Sequence, residues 1–230
     1  MSTSPTKCWI CGDDATTREH RTKRSDLRDV FGTPLQAKPL YLHNAKTKNR
    51  PIRSLKAKVL KSPSLICANC NNTRTQPHDR AWEQMSESLR TRIRANALGA
   101  VVRANKIFRY DTTREMRNVH LYFVKLFGCH ILEAEIPIDV VTFSNAILNE
   151  KACPYVYLKF GRSPSMTGMS DIEAEMRASD GSCAFATWFY LLEGLAVNVM
   201  FAADGEKRDG LIDAWHPRGG TNKLIVADFR

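Results

Sequence analysis

Cys67-Ala-Asn-Cys70-Asn71 is the stretch on which the fold depends, because it completes a four-cysteine set. The set begins near the start of the chain with Cys8-Trp-Ile-Cys11. Two C-x-x-C pairs offer four thiolates, the ligand set that structural zinc binds in tetrahedral geometry. Scattered buried thiols rarely show this double spacing. The sequence therefore predicts a structural Zn²⁺ site on Cys8, Cys11, Cys67 and Cys70.

Three polar residues are tied to this frame. Glu19 and His20 are adjacent between the two cysteine pairs, and Asn71 directly follows the second pair. An imidazole is largely neutral at working pH and can take a proton from water, whereas carboxylate and amide oxygens suit a hard cation such as Mg²⁺. This set predicts a phosphodiester-hydrolysing site. Two simpler interpretations stay open: His20 is a surface histidine, or Asn71 only caps a helix.

The order of these residues resembles the HNH (His-Me finger) endonucleases, in the subgroup braced by a four-cysteine zinc that includes phage junction-resolving enzymes. Members show C-x-x-C, an acidic residue followed by His, and C-x-x-C followed by Asn, a pattern matched here over roughly residues 8 to 80. The resemblance implies a zinc-braced ββα domain in which Glu19 and Asn71 ligate Mg²⁺ or Mn²⁺. It also implies that His20 activates the attacking water.

The sequence departs from the family pattern at two points. Many members carry Asp at the position of Glu19, and the gap between His20 and Cys67 is long. We interpret the extra length as an insertion between the strand that carries His20 and the helix that begins near Asn71. A further family position falls on His78 or Asn72, and His78 is the candidate for an additional cation ligand.

The charge distribution indicates a polyanionic partner for the first half of the chain. Residues 1–110 hold 22 Lys and Arg against 8 Asp and Glu, whereas residues 111–230 hold 12 against 16. The first half is therefore at +14 and the second at −4. Phosphates attract basic residues regardless of sequence, so nucleic acid is the default partner, with DNA favoured over RNA by the resemblance. A merely basic, solvated surface is the alternative.

A basic strand is predicted inside the insertion. From Arg53 to Leu60 the sequence alternates, which places Leu55 on one face and Lys56 and Lys58 on the other. The outward lysines are candidates for phosphate contacts. The predicted nucleic-acid-binding residues are Arg18, Lys56, Lys58 and Arg74.

The remainder of the sequence predicts an α+β protein. Apolar residues recur at helical spacing over residues 82–93 and 112–127. Short stretches rich in Val, Phe, Tyr and Ile predict a largely antiparallel sheet over residues 154–162, 171–177, 182–192, 195–202 and 223–229. We predict a zinc-braced, HNH-like nuclease domain over residues 1–108, followed by a helix-and-sheet domain of unknown role over residues 109–230.

Cysteine usage and hydropathy bear on the compartment. Cys129, Cys153 and Cys183 lie singly in apolar surroundings, which predicts buried thiols in a reducing cytoplasm. No apolar run is long enough to cross a bilayer, so no membrane partner is expected.

Two functions from different classes fit these observations. The first is a metal-dependent endonuclease, for which a homodimer would suit the cutting of both strands of a duplex. The second is a non-catalytic zinc module that binds nucleic acid. Glu19, His20 and Asn71 together favour the enzyme. Restriction, phage defence, mobile-element transfer and repair all stay open as biological roles.

Overall fold

The fold is described from a computed structural model over residues 7–43, 48–163 and 170–229. The helices are α1 (Arg24–Phe31), α2 (Gln76–Arg94), α3 (Thr112–Glu133) and α4 (Val141–Leu148). The strands are β1 (Thr17–His20), β2 (Leu40–Leu42), β3 (Arg50–Ile52), β4 (Lys61–Ile66), β5 (Val101–Arg103), β6 (Val156–Arg162), β7 (Glu173–Met176), β8 (Cys183–Leu192), β9 (Leu195–Ala202) and β10 (Lys223–Asp228). The predicted α+β class, with helices and a largely antiparallel sheet, is confirmed.

The large sheet has the strand order β5-β10-β6-β9-β8-β7. Its pairs are antiparallel except β10 with β6, which run parallel. The central strands β8 and β9 meet at Glu193 and Gly194, which both have positive φ (50° and 77°). This backbone is typical of the two-residue hairpin turns whose twist matches that of the flanking strands. The five strands predicted from the sequence are all present.

Helix α3 is the centre of the molecule. It is buried nearly all round, because it packs against α2, α4 and β4. Gly128 permits one close contact, since a Cβ there would lie 2.5 Å from the Trp9 ring. One apolar core contains residues from both sides of the predicted boundary at 108/109. The division into a nuclease domain and a second domain stays a prediction. No helix in the described ranges is both long and apolar enough to span a membrane.

A second, small core supports the insertion between β1 and β4. It comprises Leu27 of α1, Ile52 of β3, Leu55 and Leu60. The predicted strand over residues 53–60 is wrong: the chain makes a turn there, followed by a 3-10 helix at Lys58–Leu60. The physical reason is that Leu55 and Leu60 are both buried, whereas a strand would place them on opposite faces. We call residues 24–61 the basic arm.

The basic arm is fastened to the main core through Asp26 of α1. Its Oδ2 accepts hydrogen bonds from Trp82 Nε1 (3.0 Å), Ser86 Oγ (3.1 Å) and the Tyr190 hydroxyl (2.8 Å). Its Oδ1 lies 3.4 Å from the Arg90 guanidinium. Burial raises the pKa of Asp26, although these donors and Arg90 act in the opposite direction. The large sheet, through Tyr190, thus fixes the position of α1.

His130, one of the two buried histidines of α3, makes stability depend on pH. Burial lowers the pKa of His130 to about 3, and Arg21 adds to the effect. The unfolded chain, with a histidine pKa of about 6.5, binds more protons between these values, so stability is lost as the pH falls below about 6.5. A His130→Phe variant, which keeps an aromatic ring against Trp188, removes this term.

Between pH 7.5 and 5.5 the wild type should therefore lose about 1.4 kcal/mol more stability than His130→Phe. Urea unfolding at the two pH values measures the difference, and effects shared by both proteins cancel. Equal losses in the two proteins would mean that the pKa of His130 is the same in the folded and the unfolded chain.

Candidate metal centre and catalytic site

The two cysteine pairs come together as predicted. The Sγ atoms of Cys8, Cys11, Cys67 and Cys70 all lie within 4.8 Å of one another. Thiolates at the usual 2.3 Å from zinc stand about 3.8 Å apart in a tetrahedron, and Cys11 and Cys67 are 3.5 Å apart. Gly12, which has a positive φ (83°), closes the first turn. The four cysteines can therefore hold a metal ion such as zinc.

Arg74 belongs to this cluster. The π-helical turn Cys70–Arg74 brings its guanidinium to the cysteine cluster, where Nη1 donates to Cys70 Sγ at 3.4 Å. Four thiolates around a divalent ion leave a net negative charge, which a neighbouring guanidinium compensates. Arg74 is half-buried and already contacts the cysteine cluster. Its predicted contact with nucleic acid stays a prediction.

Strands β1 and β4 form the hairpin that presents His20. Their antiparallel register pairs Thr17 with Ile66 and His20 with Lys61, with an irregularity between Arg18 and His20. A β-bulge of this kind bends the strand and re-aims the side chain that follows it. The hairpin leads through the second cysteine pair into α2, so His20, the cysteines and α2 form one frame.

The His20 ring is half-buried and oriented by the basic arm. Its Nε2 lies 2.9 Å from the Leu55 carbonyl oxygen. Because a carbonyl oxygen only accepts, Nε2 carries the proton, and Nδ1 holds the lone pair of the neutral ring. Burial lowers the pKa of His20, and Lys61 and Arg24 lower it further against the opposing effect of Leu55 and Glu19. The arrangement presents a neutral imidazole able to accept a proton.

Glu19 faces the interior, on the opposite side of β1 from His20. Its Oε2 lies 2.8 Å from Lys125 Nζ, and its Oε1 accepts a hydrogen bond from the His20 backbone N–H at 3.0 Å. The residue is 6% exposed. The predicted role of Glu19 as a ligand of a catalytic cation does not fit this placement, because a buried ammonium already occupies the carboxylate.

Lys125 is held by three oxygen atoms in the core. Besides Glu19, it contacts Asp79 Oδ1 at 2.9 Å and donates to Thr75 Oγ1 at 3.1 Å. Burial by itself would lower the pKa of Lys125, but the two carboxylates raise it above its usual range. Lys23 also reaches Asp79, at 3.1 Å. This carboxylate–lysine cluster (Glu19, Asp79 and Lys125) ties β1, α2 and α3 together.

Asn71 lies beside β1. Its Nδ2 donates to Thr17 Oγ1 at 3.1 Å and approaches the Arg18 carbonyl oxygen at 3.5 Å. The side chain does not cap a helix, and its Oδ1 has no hydrogen-bond donor among the residues that the structure describes. Asn71 is the residue of the predicted cation pair whose oxygen is not already bound by the protein.

His78 and Asn72, the two candidates for the further family position, differ in burial. His78 of α2 is 2% exposed, and burial lowers its pKa to about 4, with Lys125 adding to the effect. Its Nδ1 has no hydrogen-bond partner within the described part of the chain. Asn72 is exposed to solvent. His78 lies close enough to Lys125 and Asp79 of the carboxylate–lysine cluster for their charges to act on its ring. Its role in binding a cation stays a prediction.

The other predicted nucleic-acid-binding residues are exposed. Arg18 lies on the solvent side of β1, and Lys56 and Lys58 flank the turn that contains Leu55. Burial alternates as predicted from Leu55 to Val59, with both lysines exposed, although this segment is not a strand. These three cations lie on the two segments, β1 and the Leu55 turn, that hold the His20 ring.

Two parts of the site were not predicted from the sequence. Lys125 stands within the largely apolar run Leu121–Ile131, which is a sequence signal for its burial. A buried lysine is usually paired with a carboxylate, so the need for an acidic partner could also have been predicted. The partners themselves, Glu19 and Asp79, could not, because they are distant in sequence. The contact between His20 and the Leu55 carbonyl also lacks any local sequence signal.

Comparisons of this chain with protein-family models, with curated proteins and with solved structures found no match.

Proposed function

We propose that this chain is a metal-dependent endonuclease of the HNH type that hydrolyses phosphodiester bonds in nucleic acid, DNA in preference to RNA. The observation that carries the proposal is the His20 ring. Its Nε2–H is bound by the Leu55 carbonyl, which leaves Nδ1 as the acceptor, at the end of a hairpin fastened to the four-cysteine cluster. A base oriented in this way on a rigid frame is what water activation requires.

The chemistry assigned to the chain's own residues is short. His20 Nδ1 takes a proton from water, the resulting hydroxide attacks phosphorus, and the bond from phosphorus to the leaving oxygen breaks. A bound Mg²⁺ or Mn²⁺ would stabilise charge on the phosphate and the leaving oxygen. Asn71 Oδ1 would be one ligand of that ion. Glu19 has a different part here: through Lys125 it holds β1, and thereby His20, against α3.

A non-catalytic zinc module that binds nucleic acid is the second candidate. The observation that favours it is the burial of Glu19, because this removes a predicted ligand from the cation site. The basic arm and the cysteines would serve such a module equally well. The homodimer and the cytoplasmic location stay predictions under both proposals.

Cleavage of supercoiled plasmid separates the two functions. The purified protein should nick DNA with Mg²⁺ or Mn²⁺ and stop when EDTA is added. Because general-base catalysis contributes roughly 10²–10⁴-fold, His20→Ala should be slower by at least about 10²-fold. His43→Ala, an exposed histidine of the same arm, is the matched control and should cleave at the wild-type rate.

Zinc content and melting temperature must match among the three proteins for the comparison to report on chemistry. Equal nicking by wild type and His20→Ala would remove His20 from the mechanism. If neither protein cuts plasmid, single-stranded DNA or RNA, although both bind nucleic acid, the zinc-braced binding module replaces the nuclease.

A further inference from the structure

Two cations lie near the His20 ring. Lys61 is the residue opposite His20 in the pairing of β1 with β4, and Arg24 is the first residue of α1. Both lie close enough to act electrostatically on the ring. Lys61 is half-buried and Arg24 is exposed, so both can meet a ligand that approaches His20 from solvent.

The acids of this region are occupied by other partners. Asp26 and Asp29 both bind the Arg90 guanidinium, at 3.4 and 2.7 Å. Glu133 pairs with Arg21. Within the ranges that the structure describes, neither Lys61 nor Arg24 forms an ion pair with a carboxylate. Their charges are therefore available to an anion from outside the chain.

The composition of the basic arm points the same way. Residues 24–61 hold ten Lys and Arg against two acidic residues, and Arg90 binds both of those acids. A solvated surface made for solubility mixes charges of both signs. The described cations of the basic arm form no ion pair within the described residues. An excess of one sign beside a candidate base favours a phosphate-bearing ligand.

We propose that Lys61 and Arg24 form a phosphate clamp that holds a backbone phosphate of the nucleic acid against the His20 ring. That this phosphate is the one hydrolysed rests on the function proposed above. Lysine supplies a point charge and arginine a planar pair of donors, so together they can engage both non-bridging oxygens of one phosphate.

The rest of the Leu55 turn extends the clamp. Arg53, Lys56 and Lys58 are exposed on the segment whose Leu55 carbonyl orients His20 and which leads into Lys61, the first residue of β4. Neighbouring phosphates of the same strand would meet these side chains. One short segment thus both binds the backbone and aims the candidate base.

The first test measures binding without cleavage. Fluorescence anisotropy of a labelled DNA duplex in EDTA, at several salt concentrations, compares wild type, Lys61→Gln, Arg24→Gln and the double variant. Each single change should reduce the slope of log K against log salt by about one unit, and the double change by about two. Lys223→Gln, at the exposed start of β10, is the charge-matched control and should leave the slope unchanged.

The second test distinguishes this phosphate from any other. With DNA at saturation and Mg²⁺ present, the clamp variants should cleave at least about tenfold more slowly, because the reacting phosphate is misplaced. Loss of a contact to a remote phosphate would raise the DNA concentration needed for half-maximal cleavage and would leave the rate at saturation unchanged.

The outcomes separate the clamp from the nuclease. Wild-type slopes and saturated rates in both variants would overturn the clamp and leave the nuclease standing. If the wild type cuts no nucleic acid but the clamp variants show reduced salt slopes, the nuclease is overturned and the clamp stands as part of a binding module. Slopes reduced equally by Lys223→Gln would show that overall charge is responsible, which also overturns the clamp.

Discussion

Cys70→Ser should yield protein without bound zinc and with the N-terminal half unfolded. Three of the four cysteines, Cys8, Cys67 and Cys70, are buried in the main core beside Ile66 and Trp82. Zinc binding to such sites contributes about 10–16 kcal/mol in small zinc-finger peptides, which is comparable to the whole stability of a domain. Loss of the metal should therefore spread into the core.

Metal analysis and circular dichroism measure this result. The wild type should carry about one zinc per chain, and a strong chelator should lower its melting temperature towards that of Cys70→Ser. Cys183→Ser, a buried thiol outside the cluster, is the control and should keep the zinc. A Cys70→Ser protein that holds zinc as the wild type does, or a wild type unaffected by chelation, would contradict a structural metal site.

Lys125→Met should destabilise the protein by about 3–5 kcal/mol. Methionine fills a similar volume, but it leaves Glu19 buried without its cation and Asp79 with only Lys23. Breaking a buried ion pair by removing one partner costs about this much, because the remaining charge stays desolvated. Such a loss is a large fraction of the stability of an ordinary domain.

Urea unfolding at neutral pH gives the value. Lys23→Met removes the other cation on Asp79, but the Lys23 side chain is 17% exposed whereas that of Lys125 is 0% exposed, so the loss should be smaller than for Lys125→Met. Adding Glu19→Gln to Lys125→Met should restore part of the stability, because one unpaired charge disappears. Equal losses for the two lysine variants would mean that the full burial of Lys125 does not raise the energetic cost of losing its charge.

The parts of the site that sequence reasoning found are local in the chain. Each C-x-x-C turn brings two sulfurs together by itself, so the spacing of Cys8 with Cys11 and of Cys67 with Cys70 was enough to predict a metal site. The thiols Cys129, Cys153 and Cys183 were predicted to be buried, and they are. The long amphipathic helices α2 and α3 were likewise predicted from their periodicity.

The parts that it missed depend on contacts between distant segments. Glu19 looks like an ordinary metal ligand next to His20, and only the packing of α3 against β1 shows that Lys125 claims it. Strands β2 and β3 have three residues each, too few for a periodic pattern. Helix α4 was not predicted, and the turn at Leu55 was mistaken for a strand because a small core can bury residues that alternation would separate.

The position of β10 has a consequence for the order of folding. It follows all the other described strands in sequence, yet it lies between β5 and β6 in the interior of the sheet. A nascent chain emerges from its N-terminus, so β5 and β6 must wait with open edges until residues 223–228 have been made. Earlier pairing of the two would close the gap that β10 needs. The native topology therefore requires the edges of β5 and β6 to stay apart until β10 is available, and unpaired strand edges of this kind are prone to aggregation.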